Sequence, residues 1–184
     1  MFLITTSRET SNRVRTFVRD IFTVYPGSTR FNRGSSSLSE LAATIRTTGA
    51  AAALIVQMRS GNPSIIQVLM PDGTEAMHVL IESTVLRREI SVASEVRVGG
   101  ILHISVPTDA TASVRSFATM MSEICGSELM VSDTLDPAGP NGTNRVIVRL
   151  ESLPSGRALW SHYHAKDLKE IGPRIRVTSI RSFD

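Results

Sequence analysis

The chain begins a second time just after its midpoint, and this internal repeat constrains the fold more than any other feature. The segment ILHISVP at 101–107 resembles FLITTS at 2–7, and ASVRSFATMMSEICG at 112–126 resembles NRVRTFVRDIFTVYPG at 12–27. At an offset of one hundred residues, four pairs of positions are identical: Ile4 and Ile104, Val14 and Val114, Arg15 and Arg115, Phe17 and Phe117. A repeated strand followed by an amphipathic helix predicts two similar halves.

Strand and helix patterns alternate along the first half. After FLITTS, Ser11 or Asn12 can cap a helix whose apolar residues recur every three or four positions. STRFNR is a candidate second strand, and SSSLSELAATIRTTG predicts a capped helix that ends at Gly49. AAALIVQM has the continuous apolar character of a strand covered on both faces. Two further strands joined at PDG complete an α/β pattern with an appended hairpin.

The second half repeats this order with one omission. SELMVS stands where STRFNR stood, but DTLDPAGPNGTN is rich in turn residues and predicts a loop instead of a second helix. RVIVRL, RALWSHYHA and a final strand then resume the sheet. We therefore predict an α/β fold of two duplicated halves, residues 1–98 and 99–184, which share one core and form one structural unit.

The charge of the chain is unevenly distributed. Residues 1–60 carry eight arginines against three acidic residues, and residues 151–184 carry six basic against four acidic residues. Residues 61–150 carry six arginines against ten acidic residues, so both ends are basic and the middle is acidic. Arginine suits bidentate phosphate contacts and stacking on bases, and the clustering at the ends predicts a polyanionic partner.

No sequence motif indicates catalysis, a cofactor or a small-molecule substrate. The phosphate-binding patterns G-x-x-x-x-G-K-[ST] and G-x-G-x-x-G are absent, and no serine lies in a G-x-S-x-G context. The single cysteine, Cys125, excludes an internal disulfide and a cysteine-rich metal site. No apolar run is long enough to span a bilayer, and the start is not a signal peptide, so we expect a cytoplasmic protein that is not an enzyme.

The basic residues of the first half form the first candidate binding surface. Arg15 and Arg19 are four residues apart and therefore lie side by side on the exposed face of the first helix. Arg13 lies on another flank, Arg8 precedes the helix near its N-terminus, and Arg33 closes STRFNR. The helix dipole and free N–H groups at that end also favour a phosphate. The alternative is a solvated face on which these arginines pair with Asp20 or Glu9.

The last strand forms the second candidate surface. In EIGPRIRVTS, Gly172 and Pro173 predict a turn that sets where the strand begins. Alternation then places the apolar residues of the strand inward and Arg174 and Arg176 outward together. Lys166 and Lys169 come just before this strand and extend the basic surface.

ALWSHYH is the third candidate. Trp160, His162 and His164 share one face of the predicted strand, and Tyr163 lies on the other. Trp160 or Tyr163 could stack on a base, although a tryptophan within the core is the favoured alternative. The two histidines could share a metal, but a third ligand is lacking nearby, so a solvated or RNA-facing strand is the favoured interpretation.

Both ends of the chain resemble the Brix domain of ribosome-biogenesis proteins. The resemblance rests on LITTSRETSNRVRTFVRDI at the start and LKEIGPRIRVTSI at the end, with Glu170 to Arg174 its most specific piece. The chain is similar in size to the stand-alone archaeal members, and the resemblance covers essentially its whole length. Glu9 departs from the family pattern, in which a basic residue is common after TSR.

The resemblance implies both a fold and a function. Each half is expected to resemble the anticodon-binding domain of class II aminoacyl-tRNA synthetases, and the protein to bind ribosomal RNA precursors and assist subunit assembly without catalysis. A eukaryotic member would act in the nucleolus. The acidic middle, residues 72–136, is expected to meet a basic ribosomal protein or another assembly factor. Two alternatives stay open: a tRNA-binding module, and a protein–protein scaffold without RNA affinity of its own.

Overall fold

The computed structural model describes residues 1–90, 96–142 and 144–183, and within them the chain forms ten β-strands and three α-helices. The helices are α1 (Asn12–Val24), α2 (Leu38–Thr48) and α3 (Ala112–Cys125). The strands are β1 (Leu3–Thr6), β2 (Thr29–Arg30), β3 (Ala53–Arg59), β4 (Asn62–Leu69), β5 (Glu75–Val85), β6 (Gly100–Val106), β7 (Glu128–Val131), β8 (Arg145–Ser152), β9 (Ala158–His164) and β10 (Arg174–Ser182).

All ten strands belong to one sheet in the order β2-β1-β3-β4-β5-β10-β9-β8-β6-β7. β1 pairs in parallel with β2 and β3, and β6 pairs in parallel with β7 and β8. The pairs β3–β4, β4–β5, β8–β9 and β9–β10 are antiparallel, and β5 meets β10 antiparallel at the centre. The strand order and directions are therefore the same from either end of the sheet. The predicted α/β class is confirmed.

The first helix forms where the apolar stripe predicts it. The Ser11 hydroxyl accepts a hydrogen bond from the backbone N–H of Val14 at 3.1 Å and so caps the helix. Val14, Phe17 and Ile21 of that stripe are fully buried. They join one large cluster that includes residues of α3 and of both halves of the sheet, so α1 and α3 share a core.

The second helix covers the opposite face of the first half. It begins with a capping box between Ser37 and Glu40, and it ends at Gly49 in the left-handed conformation, as predicted. Its apolar residues pack on Ala53 and Ile55 of β3, whereas the alternate residues of that strand belong to the larger cluster. β3 is thus buried on both faces, in agreement with its continuous apolar sequence.

The second half has no α-helix between β7 and β8 within the residues that the structure describes there. The chain instead forms a loop with a short 3-10 turn at Gly139–Gly142. Arg149 of β8 is buried and donates to the carbonyl oxygen of Ser132 at 2.6 Å and to the Ser105 hydroxyl at 2.7 Å. This arginine therefore ties the loop to the sheet where the first half has a helix.

A turn at Gly172 precedes β10, which begins at Arg174 as the sequence predicts. Gly172 has a φ of +56°, and a Cβ atom there would lie 2.5 Å from the Ile90 side chain, so glycine suits both its conformation and its surroundings. Ile175 and Val177 are buried, whereas Arg174 and Arg176 are exposed. The predicted alternation of this strand is confirmed.

A buried hydrogen-bonded chain joins the two halves. The Trp160 indole N–H donates to the Tyr25 hydroxyl at 2.9 Å, and that oxygen lies 3.1 Å from His162 Nε2. His162 Nδ1 lies 2.6 Å from the Pro173 carbonyl oxygen, which can only accept, so Nδ1 carries the proton. Nε2 then accepts from the Tyr25 hydroxyl. The polar side-chain atoms of Tyr25, Trp160 and His162 are therefore all hydrogen-bonded although the three residues are buried.

This network tests the two predictions made for ALWSHYH, one for Trp160 and one for its histidines. Trp160 is fully buried, so it is a core residue and cannot stack on an RNA base. The prediction of a solvated or RNA-facing strand is wrong for His162, which is also 0 % exposed. Its face of β9 is covered by Tyr25 at the end of α1, a contact that local sequence does not reveal.

We expect His162 to make stability depend on pH. Burial, more than the nearby Arg87 cation, lowers the pKa of His162 from 6.5 to about 3 despite its bond to the Pro173 carbonyl. Below pH 6.5 the unfolded chain takes up a proton that the folded chain refuses until about pH 3. The unfolding free energy should therefore fall with decreasing pH by up to about 1.4 kcal/mol per pH unit. Denaturant titrations from pH 7.5 to 5 measure this slope.

The variant His162→Gln provides the control for this slope. It cannot titrate, so its stability should change less over the same pH range, although it starts from a lower value. His103, whose pKa burial also lowers, contributes equally to both proteins and cancels from the comparison. Equal slopes for the wild type and the variant would contradict the assignment.

Candidate nucleic-acid interface

Four exposed arginines and a half-buried one surround the carboxyl end of β1. Arg8 lies in the loop after β1, Arg15 and Arg19 lie on α1, Arg30 ends β2, and Arg33 follows it. The chain places them together because β1 is hydrogen-bonded to β2 and is followed directly by the loop and α1. We call Arg8, Arg15, Arg19, Arg30 and Arg33 the arginine cluster.

A cleft of about 410 Å³ opens between α1 and β2 within this cluster. Arg15, Arg19 and Arg30 line it. Thr5 and Thr10 line it too, and their hydroxyl oxygens have no hydrogen-bond partner in the part of the chain that the structure describes. A site with three guanidinium groups and two unused hydroxyls suits an anion that accepts several hydrogen bonds, such as a phosphate.

The members of the cluster are not neutralised by the protein. Among the described residues, none of the five has a carboxylate oxygen within the 4.0 Å that defines an ion pair. Arg15 donates to the Asn12 side-chain oxygen at 3.0 Å, and Arg33 donates to the Ser36 carbonyl oxygen at 3.0 Å. Burial, and then the charge of Arg8, lower the pKa of Arg33. The cluster thus keeps its positive charge available to a partner.

Arg13, another predicted site residue, is not part of the arginine cluster. Arg13 makes a bidentate ion pair with Glu89 at 2.6 and 3.1 Å and also donates to the Thr84 carbonyl oxygen. The hydrogen bonding between the Arg13 and Glu89 side chains is the main reason why the pKa of Glu89 is lowered and that of Arg13 is raised. Arg13 therefore fastens α1 to the end of β5. The alternative that the sequence left open was pairing with Asp20 or Glu9, whereas the carboxylate that Arg13 binds is that of the distant Glu89.

The basic residues at the end of the chain are mostly paired as well. Arg174 binds Glu170, and Arg176 lies 3.5 Å from a carboxylate oxygen of Glu82. Lys169 lies 3.5 Å from Asp167, whereas Lys166 is exposed. The structure does not bring these four residues into the arginine cluster, because they lie at and beside the start of β10 near the centre of the sheet.

The two halves use the repeated arginine in different ways. Arg115, the counterpart of Arg15, donates to the carbonyl oxygens of Ala110 and Thr108 and so holds its own loop. The neighbouring Asp133 accepts from Thr108 at 2.8 Å, which is the main cause of the lowered pKa of that carboxyl group. The equivalent end of the second half thus carries an acidic residue and an arginine held by carbonyl oxygens, whereas Arg15 of the first half has no carboxylate partner among the described residues.

Arg30 was missed by the sequence prediction, although it belongs to the cluster. STRFNR predicted a strand, and its strand pairing places Arg30 beside Ile4 of β1 and so close to the first helix. The available signal was its place in the same basic segment, STRFNR, as Arg33.

The described residues contain no group of three histidine, cysteine or acidic side chains placed to hold a metal ion. Of the two histidines considered for a metal site, His164 bonds Asp167 through Nδ1 at 3.1 Å.

No helix in the described part of the chain is long and apolar enough to cross a membrane.

Known proteins resemble this chain over part or nearly all of its length. No protein-family model matches it. A probable Brix domain-containing ribosomal biogenesis protein of Aeropyrum pernix is 35 % identical over 115 residues, which cover 60 % of this chain and 64 % of the relative. The crystal structure of a probable ribosomal biogenesis protein from Aeropyrum pernix K1 aligns with a TM-score of 0.72 and 29 % identity, over 96 % of this chain and 94 % of that one.

A eukaryotic protein matches a shorter part. The U3 small nucleolar ribonucleoprotein protein IMP4 of Bos taurus is 32 % identical over 105 residues, which cover 55 % of this chain and 36 % of the relative. The aligned segments thus span less than two thirds of the length of both sequence relatives.

Proposed function

Because the chain belongs to the Brix domain family, we propose that it is an RNA-binding ribosome-biogenesis factor that binds precursor rRNA and assists the assembly of a ribosomal subunit. The observation that carries this proposal is the arginine cluster, whose five guanidinium groups lack carboxylate partners among the described residues. The Aeropyrum pernix relative is named for ribosomal biogenesis and the bovine relative for the U3 small nucleolar ribonucleoprotein, which supports the process, and the cluster supports RNA as the direct ligand.

The proposed contacts are mainly with the phosphate backbone. Guanidinium groups at the end of β1 and along α1 can each bind two phosphate oxygens, and the start of α1 adds the positive end of a helix dipole. Such contacts position RNA without selecting a base sequence. Arg13, Lys166, Lys169, Arg174 and Arg176 were also predicted to bind RNA. Lys166 remains a candidate because it is exposed, whereas an RNA phosphate would have to displace a carboxylate from the other four.

We also propose that the fold arose by duplication, with halves at residues 1–98 and 99–184 that each resemble the anticodon-binding domain of class II aminoacyl-tRNA synthetases. The internal sequence repeat and the matching strand order from both ends of the sheet support this origin. A shared core means that the two halves act as one structural unit.

The same proposal covers partners and location. The protein is a binding factor without catalytic activity, cofactor or small-molecule substrate, and it works in the cytoplasm, or in the nucleolus if the organism is a eukaryote. The exposed Asp109 and Asp133 at the end of the second half are suited to a basic ribosomal protein or assembly factor.

Crosslinking of RNA to the protein in cells, followed by sequencing, tests the function. We expect reads from precursor rRNA to be enriched over those of total RNA. Enrichment of tRNA would instead favour the tRNA-binding alternative. Capture of proteins without RNA, together with no RNA affinity of the purified chain, would identify a scaffold and overturn the proposal.

A further inference from the structure

A second cavity, of about 650 Å³, lies beside the arginine cluster on the face of the sheet that α2 covers. It is lined by residues that follow β1, by the start of α2 and by side chains of β3 and β4. β1 lies between β2 and β3, and α1 and α2 pack on opposite faces of the sheet. In α/β sheets, ligands bind in the crevice outside the carboxyl ends of strands at such a switch point.

Two glutamine side chains form the polar part of the cavity wall. Gln57 Nε2 donates to Gln67 Oε1 at 3.2 Å. Gln67 is only 5 % exposed, yet its side-chain NH₂ group has no hydrogen-bond partner among the described residues, and neither has the side-chain oxygen of Gln57. If the oxygen and nitrogen positions of both side-chain amides are exchanged, one donor group and one acceptor of the pair still lack a partner.

The rest of the cavity carries positive charge and apolar surface. Arg8 and Arg33 line it, against a single lining carboxylate, Glu9. The backbone N–H groups of Leu38 and Ser39 begin α2 and therefore have no partner within the helix. An anion beside Arg8 and Arg33 would also relieve the repulsion that contributes to the lowered pKa of Arg33.

We propose that this cavity binds one unpaired nucleotide of an RNA chain, with its phosphate at Arg8 and Arg33 and its base edge against Gln57 and Gln67. The inference deepens the proposed RNA-binding function and rests on it. The volume falls within the roughly 300–1,000 Å³ of small-molecule sites. The Gln67 amide lines the cavity and has no hydrogen-bond partner among the described residues, which favours a ligand that can satisfy it. Bases splayed out of single strands offer both donors and acceptors. A duplex cannot enter, because its base edges are already paired.

The variant Gln67→Leu tests this site. It keeps the size of a buried side chain but removes the acceptor of Gln57 Nε2, so we expect at most a small decrease in the thermal unfolding temperature because Gln57 is only half-buried. We expect the wild type to bind a short single-stranded RNA more tightly than a blunt RNA duplex with the same number of phosphates. Gln67→Leu should lose about 10-fold in affinity for the single strand and nothing for the duplex. Fluorescence anisotropy at one salt concentration measures both.

The matched control is Asn62→Leu, which replaces an exposed amide at the first residue of β4 that does not line the cavity. This control should bind both RNAs as the wild type does. If Gln67→Leu keeps full single-strand affinity, or the wild type shows no preference for the single strand, the nucleotide site is wrong while salt-dependent RNA binding still stands. If the wild type binds neither RNA, the proposed function fails and the nucleotide site fails with it.

Discussion

Reversing the charges of Arg15 and Arg19 to Glu is expected to weaken binding to an rRNA fragment by roughly 100-fold, which corresponds to about 1.4 kcal/mol at each position. Both side chains are exposed, line the cleft beside β2 and lack a carboxylate partner in the described part of the chain. Each therefore has its charge free for a phosphate, and each glutamate would repel one. Filter binding at low salt measures the loss.

The control for this prediction is Arg46→Glu/Arg181→Glu, which changes the net charge by the same amount. Arg46 lies in the last turn of α2 and donates to the Pro71 carbonyl oxygen, and Arg181 lies at the far end of β10. We expect this pair to retain most of the affinity. Equal losses for the two double variants would indicate a general charge effect, and a loss of stability without a loss of binding would make Arg15 and Arg19 structural.

Truncation of Trp160 to alanine is expected to lower the free energy of unfolding by about 3–5 kcal/mol. The indole is fully buried and packs edge-on against Phe117 at 5.0 Å and Tyr25 at 6.2 Å between ring centroids. Its loss leaves a large cavity where α1, α3 and β9 meet and removes the donor to the Tyr25 hydroxyl. Denaturant unfolding followed by circular dichroism measures the change.

Tyr163→Ala provides the comparison because Tyr163 lies on the same strand but on the opposite, half-exposed face. We expect it to cost about 1–2 kcal/mol. In both variants the chain should unfold in one transition, since the halves share a core. A smaller effect for Trp160 than for Tyr163, or separate transitions for the two halves, would contradict the shared core.

Local sequence patterns were sufficient for most of the secondary structure. The stripe on α1, the doubly covered β3 and the alternation of β10 each follow from the spacing of apolar residues, which depends on neighbours along the chain. The burial of His162 could not be predicted in this way. It depends on Tyr25, which is 137 residues away and reaches it only once the two halves have packed together.

The same limit applies to the candidate site. The sequence identified four of the five members of the arginine cluster, but it could not separate them from Arg13 and Arg176, whose acidic partners are distant in the chain. Nor could it show that Arg15 bonds only its helix neighbour Asn12, in the part of the chain that the structure describes, whereas its repeat counterpart Arg115 holds a loop. The two repeated arginines, Arg15 and Arg115, differ because different loops precede their helices.

The glutamine pair was not predicted, although its sequence carried a signal. Gln57 and Gln67 each interrupt an otherwise apolar strand segment, in ALIVQM and SIIQVL. A buried amide in such a segment needs a partner, and each residue provides one for the other only because β3 and β4 form a hairpin. The unused donor and acceptor become visible once that register is known.

The salt dependence of rRNA binding tests the central claim most directly. If five phosphates are neutralised by the arginine cluster, the logarithm of the binding constant should fall with the logarithm of salt concentration with a slope of about −3.5 to −4.5. Titrations of the purified chain with an rRNA fragment at several salt concentrations give this slope. We predict that it lies in that range and is less steep in Arg15→Glu/Arg19→Glu. A flat response in the wild type would contradict phosphate binding by the cluster.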